Sequence, residues 1–138
     1  MPDIDSDFLA LPLRELADAA LERAGALGAE HADFRLERVR GRVLSVSDGS
    51  VDTAADSDTL GFAVRVVHEG VWGFASGDVL EPRAAAEAAE RAVDMARVAA
   101  PLTAERIELA PETPPPHALW GPSPGRGPLP PTAPAPGP

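Results

Sequence analysis

Cysteine is absent from the 138 residues, and so are lysine, asparagine, glutamine and tyrosine. Without cysteine there is no disulfide framework, no thiolate metal site and no cysteine nucleophile. All 12 basic residues are therefore arginine, set against 22 acids for a net charge of −10. A diffuse acidic surface repels phosphate backbones, so nucleic acid is not an expected partner. No run of 18 apolar residues occurs, which excludes a transmembrane helix by hydropathy and leaves no membrane partner to expect. The start, Met1-Pro2-Asp3-Ile4-Asp5-Ser6-Asp7, is acidic where a secretory signal would be basic, so the cytoplasm is the expected compartment.

Proline is scarce in one part and crowded in another. Of 16 prolines, 12 stand between Pro111 and Pro138. The chain divides accordingly into a flexible acidic lead-in over 1–10, a folded unit over 11–110 and a proline-rich tail over 111–138. The tail holds only Glu112 and Arg126 as charges. Proline removes backbone donors, and the tail has little apolar surface to offset the entropy of ordering, so it is expected to be disordered and partly polyproline II.

Within 11–110 the hydrophobic period changes twice. Leu13, Leu16, Ala17, Ala20, Leu21 and Ala24 recur at helical spacing, with Pro12 in a first turn and Gly25 and Gly28 as stops. From Ala32 to Val46 the alternation is strand-like. Phe34, Leu36 and Arg38 point one way and Asp33, Arg35, Glu37 and Val39 the other, with Gly41 as a candidate bulge. Asp48-Gly49 is a hairpin turn signal. A short return over Val51–Ala55 is expected to end at the polar break Asp56-Ser57-Asp58. Thr59–Val67 alternates cleanly, His68-Glu69-Gly70 turns, and Val71–Ser76 pairs back, carrying Trp72 and Phe74. Core packing is the default for these two aromatics, and an exposed pair would instead mark a partner-binding patch.

Asp78 to Ala100 returns to helical period, with Pro82 near the start and an alanine stripe from Ala85 to Ala99 that implies close approach to the sheet. Arg106–Leu109 is a fourth strand or an extended exit. The expected fold class is α+β: an antiparallel meander of three or four strands, covered on one face by two helices.

Catalytic signatures are wanting. The three histidines, His31, His68 and His117, are far apart in sequence. His68-Glu69 opens an H-E-x-x-H, but Trp72 stands where the second histidine belongs. Neither G-x-S-x-G nor a phosphate-binding glycine loop occurs, and Gly70, Gly73 and Gly77 read as turn and close-packing positions. Asp48, Asp52, Asp56 and Asp58 cluster about the first hairpin without the calcium-loop pattern and read as solvated turn acids. Pro128–Pro131 and Pro131–Pro134 satisfy P-x-x-P, as any segment this rich in proline would. No residue is assigned to catalysis, to a cofactor or to a metal.

The segments Ala32-Asp33-Phe34-Arg35-Leu36-Glu37, Gly61-Phe62-Ala63-Val64-Arg65-Val66 and Gly70-Val71-Trp72-Gly73-Phe74-Ala75, joined by the Asp48-Gly49 hairpin and closed by Ala88-Ala89-Glu90-Arg91-Ala92-Val93, resemble the N-terminal domain of the TldD/PmbA family. These are zinc metallopeptidases, also called modulators of DNA gyrase. The likeness covers about residues 11–110 and is closer to the TldD side. It implies a non-catalytic portion of a peptidase that acts on unfolded or unstructured peptides with a TldE/PmbA-type subunit. It also implies zinc, held elsewhere in the family by an H-E-x-x-x-H helix that this sequence lacks, so the chain alone is expected to be inactive. The change of composition near Trp120 is expected to mark a shifted reading frame and a truncated product. The alternative is a free-standing, non-enzymatic interaction domain.

Overall fold

The computed structural model describes residues 5–113. A one-turn helix, α1 (Ser6–Leu9), precedes α2 (Leu13–Ala26). Strands β1 (His31–Ser47), β2 (Ser50–His68) and β3 (Val71–Gly77) follow, then α3 (Pro82–Ala99) and a 3₁₀ turn over Ala100–Leu102. The sheet is an antiparallel meander in the order β1-β2-β3. The α+β class is as the sequence indicates, with three strands.

Both hairpin turns are two residues long, Asp48-Gly49 and Glu69-Gly70, and all four residues have positive φ, from 51° to 78°. That backbone matches the right-handed twist of the flanking strands, and glycine at the second position adopts it without strain. Counted outward from the first turn alone, Phe34 would face Ala63, and the apolar sets of β1 and β2 would lie on opposite faces. A register shift at Ser45/Val46 corrects this: Val46 pairs with Val51, but Ser45 pairs with Thr53, leaving Asp52 as the extra residue. Beyond this bulge Phe34 meets Val64 and Leu36 meets Phe62. The bulge expected at Gly41 is not there, since Gly41 pairs regularly with Ser57.

Both helices cover one face of the sheet. Leu16, Ala20 and Ala24 of α2 and Ala85, Ala88, Ala89, Ala92 and Val93 of α3 share a core with Phe62, Val64, Val66 and Ala75. Phe34 stacks on Phe62 with ring centroids 5.6 Å apart. The α2 stripe is narrower than its period suggests, for Leu13 and Leu21 are exposed. The alanines of α3 bring it so near β3 that a Cβ at Gly73 would overlap the Ala92 carbonyl. A side chain there has no space, which is why this strand position is glycine.

Two expectations change, and one open alternative is decided. In the lead-in, Ser6–Leu9 form a turn of helix capped by the Asp5 carboxylate, which accepts from the Asp7 amide at 3.0 Å. Asp56-Ser57-Asp58 is no break, for β2 runs unbroken for 19 residues. The charges are tolerated mid-strand because arginines stand across from them: Arg42 faces Asp56 and Arg40 faces Asp58. Arg106–Leu109 is an extended exit, tied back where the Ile107 amide donates to the Gly70 carbonyl at 2.8 Å. Trp72 and Phe74 are not core residues. They project from the face that the helices leave bare and are 37% and 51% exposed. The tail beyond Thr113, with its expected disorder, its P-x-x-P spacings and the composition change near Trp120, lies outside the described residues.

Candidate functional site

The bare face of the sheet collects the chain's unusual side chains. Strand alternation places Asp33, Arg35 and Glu37 of β1, Ala63 and Arg65 of β2, and Trp72 and Phe74 of β3 on this side. Arg65 is opposite Asp33 and donates to it through Nε at 2.8 Å and Nη2 at 2.7 Å. The same guanidinium lies 4.7 Å from the centroid of the Trp72 ring, within cation–π range. His31 completes the group: its Nε2 is 3.4 Å from Asp33 Oδ2, and its ring meets Trp72 edge-on at 6.2 Å. Arg65 is thereby oriented by a carboxylate on one side and an aromatic face on the other.

Beside this cluster is a shallow concavity of about 600 Å³. The small bare-face residues Gly61, Ala63 and Ser76 line it together with Phe74, Arg35 and Val39. Its lining mixes apolar surface with both signs of charge. A second recess lies at the rim, bounded by Glu30, His31 and Arg65 and by Leu109, Ala110 and Glu112 of the exit segment.

The distal part of the β1–β2 hairpin is different. Past Leu36 it extends beyond the helices as a two-stranded ribbon, with Val39, Val43, Leu44, Val46 and Val51 all about half exposed or more. On the helix side it carries a ladder of charge. Arg38 grips Asp58 through Nε at 2.9 Å and Nη2 at 2.6 Å, and Arg42 grips Asp56 at 2.7 and 3.1 Å. Asp5 reaches back from the lead-in to accept from Arg40 at 2.6 Å and Arg38 at 3.4 Å. The hydrogen bond from Arg42 holds the Asp56 carboxyl below its ordinary range, and that from Arg38 does the same for Asp58. Asp5 is lowered first by the Asp7 amide and then by Arg40 and Arg38. Reciprocally, Asp58 raises Arg38 and Asp56 raises Arg42.

The acids singled out in the sequence thus separate. Asp56 and Asp58 are ion-paired, Asp52 is the bulge and Asp48 sits in the turn. They form no cation site. The histidines separate as well. His31 is on the bare face, while His68 is 8% exposed with no partner for Nδ1 among the described residues. Among those residues no three His, Asp or Glu side chains stand close enough to hold a metal ion, so the side chains present do not fit a zinc site. No helix of the described residues is long and apolar enough to cross a membrane.

The sequence did not single out Asp33, Arg65 and His31 as a group. Their shared face is legible from strand alternation, but the pairing of Asp33 with Arg65 depends on the Asp52 bulge, which nothing in the local composition announces.

Comparison with known proteins fits this geometry. Residues 32–96, from β1 to the start of the last turn of α3, match the family described as PmbA/TldA metallopeptidase domain 1. A metalloprotease of the archaeon Methanothermobacter thermautotrophicus is 31% identical over 93 residues. That alignment takes in 67% of this chain but 18% of the relative, so the chain corresponds to less than a fifth of the curated protein it matches.

Proposed function

With residues 32–96 this chain belongs, through a first domain, to the PmbA/TldD metallopeptidase family, and we propose that it is the non-catalytic, docking portion of a TldD-type enzyme. In this reading the domain presents the Trp72–Phe74 face and the β1–β2 ribbon to the rest of a peptidase assembly that includes a TldE/PmbA-type subunit. Zinc and the cleavage of unstructured peptides belong to other parts of that assembly. The observation that carries the reading is a pairing: the match is to the first domain, and the H-E-x-x-x-H sequence occurs nowhere in the 138 residues. Water activation by a metal needs about three protein ligands around an open position, and the described residues offer no such set.

The test is a zinc titration of the chain with an unstructured peptide as substrate, run beside co-purification with a PmbA/TldD-family subunit. The expected result is no cleavage at any zinc level together with retention of the subunit. Metal-dependent cleavage by the chain alone would overturn the non-catalytic assignment. A second reading, a free-standing interaction domain, draws support from the half-exposed Phe74 on an uncovered sheet. It is favoured if the chain retains a partner from outside the family and no family subunit.

A further inference from the structure

β1 is an edge strand, and among the described residues no backbone pairs with its outer side. The hydroxyls of Thr59 and Ser57 donate to the carbonyls of Val39 and Gly41, so these residues and their alternates along β1 turn their backbone toward β2. The amides and carbonyls of Ala32, Phe34 and Leu36 therefore point outward. The lead-in is tied to β1 at Arg38 and Arg40, through Asp5, which leaves His31–Glu37 as the open stretch. β3, at the other edge, is shorter and better guarded: Arg91 of α3 donates to its Ser76 carbonyl at 3.1 Å. The layer above β1 is unfinished too. α2 lies over β1, and α3 over β2 and β3. Arg23 reaches Glu90 of α3 at 2.7 Å. Leu21, two residues away and so about 200° round the helix, is on the side that overlooks the open edge and is 38% exposed. Below it Ala32, Phe34 and Leu36 are only partly buried.

Unpaired amides along an edge are a template for another strand. The sequence of β1 selects which strand. Two antiparallel copies related by a twofold axis must set outward backbone against outward backbone, so the axis passes through a residue paired with itself. Centred on Asp33, Arg35 or Glu37, the pairing sets a charge against itself. Centred on Leu36, it sets Phe34 against Arg38 and Ala32 against Arg40. Centred on Phe34, it sets Asp33 against the second copy's Arg35 and His31 against its Glu37, each twice by symmetry. On the helix side Phe34 then meets Phe34 and Ala32 meets Leu36. Arg35 and Glu37 have no ion-pair partner among the described residues and are free to make these contacts. We propose that His31–Glu37 pairs antiparallel with the same stretch of a second copy of this chain, about a twofold axis at Phe34, which joins the two sheets into one. Both Trp72–Phe74 faces then lie on one side of the joined sheet and stay open for the docking role proposed above.

Because cysteine is absent, single introduced cysteines report the pairing. Full-length Asp33→Cys and Arg35→Cys chains are mixed in equal amounts and oxidised, and the disulfide products are separated by mass. Directly opposed residues have Cβ atoms about 4.5–5.5 Å apart, and diagonal ones are farther. The expected result is a mixed disulfide several-fold above its statistical share. Both positions are at least partly exposed, so both variants should fold. A second arm needs no cysteine. Sedimentation over a concentration series should show the unmodified chain approaching twice its mass. Arg35→Glu sets acid against Asp33 and should move that midpoint to a several-fold higher concentration. Four results would overturn the proposal. One is an unmodified chain that stays monomeric throughout. Another is a midpoint that Arg35→Glu leaves unchanged. The third is a like-with-like Arg35→Cys disulfide as the main product, which would put the axis at Arg35. The fourth is a PmbA/TldD-family subunit that shields both cysteines in place of self-pairing, an outcome that leaves the proposed function standing.

Discussion

The two ends of the β1–β2 hairpin are held by different forces. At the base, residues 31–37 and 61–68 lie under two helices, and Phe62, Val64 and Val66 are essentially withdrawn from water. At the distal end the same strands have no helix above them, and the apolar side chains stay exposed while arginine–aspartate pairs bridge the strands. Burial of apolar area is non-directional and strong, whereas exposed ion pairs contribute little and are screened by salt. An isolated two-stranded ribbon is marginal in water. The ribbon is thus a passenger on the folded base, and its ladder fixes its shape more than it stabilises the domain. That division is what the docking role proposed above for the ribbon requires.

The comparison is sharpened most by mutating the base. Phe62→Ala removes a side chain that is 3% exposed and stacked on Phe34. Such truncations cost about 3–5 kcal/mol, enough to unfold a domain of this size. Val43→Ala, on the ribbon, should stay within about 0.5 kcal/mol. Urea unfolding of both variants checks the contrast, and equal losses would break it. Gly73→Ala comes next. The added methyl meets the Ala92 carbonyl, so α3 must move away from β3. Overpacking of this kind costs about 1–3 kcal/mol, read as a lower unfolding midpoint. An unchanged midpoint would show that the helix can shift freely.

The sequence discloses the base better than the ribbon, for physical reasons. Phe34, Leu36, Phe62, Val64 and Val66 alternate because one face is buried, and burial is what writes a period into a sequence. In the ribbon neither face is buried, so the pattern there says little. Asp56-Ser57-Asp58 reads as an interruption until Arg40 and Arg42 are known to stand opposite. Trp72 and Phe74 mislead in the other direction, since aromatics two apart on a strand next to a core are ordinarily core residues. The turn residues were legible, but the register was not, because the bulge at Asp52 has no compositional mark. Deleting Asp52 tests this account. The deletion should convert the hairpin to a regular one that keeps Phe34 opposite Val64, with a change in unfolding free energy of no more than about 0.5 kcal/mol. Loss of the base pairing, seen as changed cross-strand contacts at Phe34, would show that the bulge sets more than the tip.

Acid separates the two ends with the smallest effect and the clearest sign. Asp56 and Asp58 have folded-state affinities for protons lowered by hydrogen bonds from Arg42 and Arg38. A carboxyl lowered on folding contributes stability that is fully present above its unfolded value, about pH 4, and is lost as the pH falls through the lower folded value. The ribbon should therefore keep its ladder at neutral pH and release it only below about pH 4, while the apolar base is unaffected over the same interval. Carbon-detected titration of the Asp56 carboxyl would show a midpoint below that of an ordinary aspartate. In Arg42→Ala the midpoint should move back up toward the ordinary value, since the first cause of the shift is gone, while the Phe34 and Val64 resonances stay in place. If Asp56 titrates at the ordinary value in the unmodified chain, the ladder does not persist in solution. The ribbon would then be held by its backbone pairing alone.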